Sequence, residues 1–85
     1  MLGDDLGVIN SLHALTDLFL YWDIPEYANL YASEAVRVEQ QMTAENPMVS
    51  AQTYVNKSRV LYELGEVDSV ALYAERAREL CRALP

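Results

Sequence analysis

One cysteine, one histidine, one phenylalanine and three scattered glycines set the limits of this 85-residue chain. Cys81 alone can close no internal disulfide. At the end of the last apolar stripe it is expected to be a small packed residue. His13 is the only imidazole and no carboxylates cluster at ligand spacing, so neither a metal site nor a cofactor is expected. Gly3, Gly7 and Gly65 are too dispersed to cradle a phosphate. No run approaches the roughly 18 apolar residues of a membrane span. Met1-Leu2-Gly3-Asp4-Asp5 is acidic where a secretory leader is basic, so a cytoplasmic location is the expectation.

Positive charge is scarce as well. Six basic residues stand against thirteen acidic ones, for a net charge of −7. The excess lies wholly in residues 1–45, where Arg37 is the only base among eight acids; the remainder balances, five against five. Such a surface disfavours nucleic acid and anionic membrane as partners.

What is present is helical periodicity. Leu6, Ile9, Leu12, Leu15, Phe19 and Trp22 recur on one face of a first helix from about Asp5 to Tyr21, capped by Asp4 or Asp5. Trp22-Asp23-Ile24-Pro25 is a turn: Asp tolerates the left-handed conformation, and proline presets the first turn of a second helix. That helix runs to about Met42, with Ala28, Tyr31, Ala32, Ala35, Val38 and Met42 inward. Thr43-Ala44-Glu45 leads to Asn46-Pro47, a cap and first residue for a third helix to about Leu64. It carries Met48, Ala51, Tyr54, Val55, Ser58, Leu61, Tyr62 and Leu64. Gly65 suits the residue that closes it. A fourth helix, about Val67 to Leu84, has Val67, Val70, Ala74, Ala77 and Leu80 along one stripe.

The second half repeats the first. A shift of 42 residues places Leu30-Tyr31-Ala32 on Leu72-Tyr73-Ala74, Ala35 on Ala77 and Thr16 on Ser58. The same shift matches Leu12 with Tyr54, Phe19 with Leu61, Ala28 with Val70 and Val38 with Leu80. Repeats of this length mark arrays of stacked helical hairpins.

In the order of these residues the chain resembles the tetratricopeptide repeat family. Tyr54, Ser58, Leu61, Gly65, Ala74, Ala77 and Leu80 follow its pattern in the second copy, and Leu12, Thr16, Phe19, Ala28, Ala32, Ala35 and Val38 in the first. Asp23 replaces the turn glycine, the closing proline is absent at Gln40 and Arg82, and the period exceeds the family's usual ~34 residues. The longer spacing is similar to that of bacterial regulators and signalling proteins of this type. The resemblance implies an all-α fold of two hairpins, about 5–42 and 47–84, wound as a right-handed superhelix and cut from a longer array.

It further implies protein–protein interaction through a concave groove lined by the first helix of each repeat. The matching positions are Asn10, His13, Asp17, Leu20 and Tyr21, then Gln52, Val55, Asn56, Arg59, Tyr62 and Glu63. The occupant would be a partner peptide or an adjacent domain. A carboxylate clamp is not expected, because only Asn56 and Arg59 approach the residues it needs. Nor is catalysis: His13 and Asp17, four residues apart, read as a surface pair. The alternative is a structural four-helix unit that forms homo-oligomers through its repeat ends, with Leu72, Tyr73, Leu30 and Tyr31 at the contact.

Overall fold

The computed structural model describes residues 5–42, 46–82 and 84. It contains four helices, α1 (Asp5–Tyr21), α2 (Pro25–Gln41), α3 (Pro47–Glu63) and α4 (Val67–Arg82). No strand occurs among the described residues. The fold is all-α, built of two helical hairpins. Asp4, the loop residues Thr43, Ala44 and Glu45, and Ala83 and Pro85 lie outside the described residues.

The 42-residue offset is visible in the backbone. α1 and α3 begin and end 42 positions apart, and α2 and α4 begin so. Both hairpins turn through the same hydrogen-bonded loop. Asp23 N–H donates to the Leu20 carbonyl at 3.0 Å and Ile24 N–H to that of Phe19 at 2.8 Å. In the second hairpin Gly65 N–H donates to Tyr62 at 3.1 Å and Glu66 N–H to Leu61 at 2.9 Å. This double closure satisfies carbonyls that a helix end leaves free, and it needs a left-handed residue at its centre. Asp23 and Gly65 supply it, with φ of 61° and 80°. The hydroxyls of Thr16 and Ser58 each donate to the carbonyl four residues back, on Leu12 and Tyr54.

Pro25 and Pro47 open α2 and α3 where their missing N–H groups cost no helical hydrogen bond. Asn46 caps α3, its Oδ1 accepting from Val49 N–H at 3.2 Å.

α3 is the helix on which the domain is assembled. It packs against α4, its own hairpin partner, and against α2 and α1; α4 approaches no other helix backbone. The apolar core runs along these seams. Ile9, Ala35 and Val38 cluster with Leu12, Met42 and Val49. Ala28, Ala32 and Val60 cluster with Phe19, Leu20 and Leu64. Val36, Tyr54 and Ala77 meet beside Tyr73 and Leu80. Alanines at 28, 32 and 35 admit the third helix closely. Tyr31 stacks on Phe19 with ring centroids 5.5 Å apart, and Tyr73 stacks on Tyr54 at 5.9 Å, so each hairpin closes with an aromatic pair.

Several residues read as inward are exposed: Leu6, Trp22, Met48, Val67 and Ala74, with Cys81 at the end. Conversely α3 buries polar side chains that periodicity assigns to water, among them Ser50, Thr53, Asn56 and Lys57. Each meets a polar partner. Lys57 Nζ donates to Asn29 Oδ1 and to Ser33 Oγ of α2, both at 2.8 Å. Glu39 of α2 accepts from Tyr54 Oη at 2.7 Å and from Ser50 Oγ at 2.9 Å. The α2–α3 seam is thus half apolar and half hydrogen-bonded, which fixes register as well as affinity.

Candidate partner-binding groove

α1 and α3 lie side by side, and the C-terminal halves of the two helices bound a cleft of about 690 Å³. Asp17, Leu20 and Tyr21 line it from α1, and Ser58, Arg59, Tyr62 and Glu63 from α3. Val70 of α4 completes it. The two tyrosines project: Tyr21 is 84% exposed and Tyr62 67%. They occupy nearly matching repeat positions, one residue apart, so the same geometry places one at the end of each first helix.

A polar ladder runs along α3 to Arg59 at the cleft. Gln52 Nε2 donates to Asn56 Oδ1 at 2.9 Å, and Arg59 Nη1 donates to the same oxygen at 3.3 Å. Arg59 Nη1 also reaches Asp17 Oδ1 at 3.0 Å, joining α3 to α1. Both partners of that ion pair are half exposed, so solvent screens it and it is worth at most about 1 kcal/mol. Its contribution is to hold the two walls in register. Asn56 Nδ2 is buried with no partner among the described residues.

His13 is buried and is not part of a surface pair with Asp17. Its Nε2 lies 2.8 Å from Thr53 Oγ1, across the α1–α3 seam. The Thr53 hydroxyl donates to the Val49 carbonyl at 2.9 Å. Its proton is therefore committed, and His13 Nε2 must be the donor. Burial lowers the His13 pKa below its ordinary value, against the opposing pull of Asp17. The imidazole is neutral at pH 7 and serves as a strut between α1 and α3. The pairing was hidden in the sequence because Thr53 is 40 residues away.

Of the eleven residues expected in the groove, Asp17, Leu20, Tyr21, Arg59, Tyr62 and Glu63 meet at this cleft. Asn10 and Gln52 are exposed beside it. His13 and Asn56 are buried beneath the surface. Val55 faces a second, apolar depression of about 380 Å³ between α3 and α4, with Ser58, Arg59, Ala74, Ala77, Arg78 and Cys81. Val70 was not among the expected lining residues. It enters because α4 begins under the end of α3, where Ser58 Oγ lies 3.5 Å from the Val70 carbonyl. Among the described residues no three metal-binding side chains come together, and no helix is long and apolar enough to cross a membrane.

Set against protein-family models, curated proteins and solved structures, the chain matches none of them.

Proposed function

We propose that the chain is a protein-interaction module of tetratricopeptide type, binding an extended or helical segment of a partner in the α1–α3 cleft. One observation carries this reading. Six of the eleven side chains that the family resemblance implies for a groove converge from two helices on one cleft flanked by two exposed tyrosines. Exposed tyrosines offer rigid amphipathic area at small entropic cost, and such residues carry much of the binding energy at protein interfaces. Leu20 and Val70 supply an apolar floor for an anchoring side chain of the partner. The rim carries Asp17 and Glu63 against Arg59, so it favours a segment with a cationic residue next to the anchor. With His13 held as a strut, binding rather than catalysis fits the cleft. The long repeat spacing supports a setting in a bacterial sensor or regulatory protein, where the bound segment belongs to a partner or an adjacent domain.

Panning a displayed library of random peptides against the immobilised chain tests this. The selected peptides are expected to bind Tyr21→Ala and Tyr62→Ala at least about tenfold more weakly, one anchor being worth ~1.4 kcal/mol or more. Circular dichroism establishes that each variant is folded. Peptides that bind the double variant as tightly as the original chain would place the binding surface elsewhere.

A further inference from the structure

The repeat offset gives every residue on one hairpin a counterpart on the other, and the counterparts differ sharply in burial. α3 covers Ala32, Val36 and His13 of the first hairpin. Their counterparts 42 residues on, Ala74, Arg78 and Val55, are exposed and line the second depression with Ala77 and Cys81. That depression is the slot that α3 fills in the first hairpin, repeated and open in the second.

The opposite end of the domain mirrors it. α3 enters its slot through Ser50, Thr53, Asn56 and Val60, all buried. Their counterparts on α1 are Val8, Ser11, Ala14 and Leu18, all exposed. None is charged, and from Leu6 to Thr16 α1 carries no Asp, Glu, Lys or Arg. Val8, Ala14 and Leu18 thus make an uncharged, largely apolar flank of the kind that another surface can cover.

We propose that a second copy of this chain covers the open slot, its α1 docking on α3 and α4 of the first as α3 docks on α1 and α2 within one chain. The internal interface serves as the template, and three of the contacts it implies carry over directly. Leu18 of the second copy meets Val70 and Ala74, as Val60 meets Ala28 and Ala32. Val8 meets Cys81, as Ser50 meets Glu39. The Asp17–Arg59 ion pair spans one repeat, so the same step sets Arg59 of the first copy against Asp17 of the second. The sign is again attractive. Charge agrees on a larger scale: α1 bears only acids, while Arg59 and Arg78 edge the slot. The contact is head to tail, so the dimer keeps one free head and one free tail and stacking continues beyond it. This interface meets the peptide cleft along Ser58, Arg59 and Val70 but does not use the Tyr21 and Tyr62 anchors, and it stands whether or not that cleft binds anything.

Light scattering on the chain from about 10 μM to 1 mM, with two blocking variants, tests the proposal. Leu18→Glu spoils the head and Ala74→Glu the tail, both at positions open to solvent, and circular dichroism establishes that each variant is folded. The original chain is expected to rise in mass with concentration, past twice its 9.6 kDa. Each variant alone stays monomeric. Their equimolar mixture forms a dimer and stops there, because one intact head meets one intact tail. A chain that remains monomeric throughout would assign the slot to a different polypeptide and overturn the proposal. So would a mixture that stays monomeric, since it excludes a head-to-tail contact. Tyr21→Ala/Tyr62→Ala, which impairs only the peptide cleft, is expected to associate like the original chain; loss of association there would also overturn it.

Discussion

Ala32 and Ala74 are the same residue at the same repeat position, and leucine at each separates a filled slot from an open one. Ala32 is 1% exposed and packs with Ala28 and Val60, both fully buried, inside a ring of Phe19, Leu20 and Leu64. Leucine adds an isopropyl group where no void receives it. α3 must move or neighbouring side chains must leave their rotamers, at about 1–3 kcal/mol. In a domain of this size each kcal/mol lowers Tm by roughly 4–8 °C. Ala32→Leu should therefore melt roughly 5–20 °C below the original chain. At Ala74 the same group projects from the exposed side of α4, where substitutions usually stay within about 0.5 kcal/mol. Thermal and urea unfolding at about 5 μM, dilute enough to keep copies apart, read both. An Ala32→Leu variant as stable as the original would mean that α3 does not fill the α1–α2 slot. An equal loss at Ala74 would mean that its face is already covered within one chain.

Other perturbations report on single contacts. The His13 pKa lies below that of the unfolded chain, so the unfolded state takes up the proton first as pH falls. Stability is full above pH ~6.5, declines through that value and levels off below the folded pKa; His13→Gln should flatten the decline in urea titrations at pH 8 and pH 5. Gly65→Ala meets no atom within 4 Å, so its cost is conformational alone, about 1–2 kcal/mol for a side chain at φ +80°, measurable by urea unfolding. Burial and the Glu39 hydrogen bond push the Tyr54 hydroxyl up to about 12. In a spectrophotometric titration one of the six tyrosines should ionise last, and Tyr54→Phe should remove that step. The same variant should lose about 1.5–3 kcal/mol in urea unfolding, the usual worth of a hydrogen bond to a charged group.

Local chemistry made the helix boundaries legible. Pro25, Asn46, Pro47 and Gly65 act through their own backbone neighbours, and the helices start and stop where they stand. Asp23 was legible for the same reason, as a left-handed residue in a glycine position. The partner across a seam was not. Thr53 and Lys57 look like solvent positions until His13, Asn29 and Ser33 arrive from tens of residues away. Exposure of Leu6, Trp22 and Met48 was hidden for the complementary reason: periodicity marks an apolar face but does not say whether a helix lies on it. The cleft was more legible than the core. Six of the residues that the family resemblance implied for a groove do meet there, but the Asp17–Arg59 pair across it, 42 residues apart, was not foreseen, because Asp17 reads first as a neighbour of His13.

Everything proposed for the cleft and for the repeat ends depends on α3 lying between α1 and α2. Nuclear Overhauser contacts between methyl groups, measured on the isotopically labelled chain at low concentration, test that placement directly. Val60 methyls should show strong contacts to the Ala28 and Ala32 methyls, and His13 ring protons to the Thr53 methyl. A chain in which Val60 contacts only α4 residues would have two hairpins side by side without a shared core, and the account would fail.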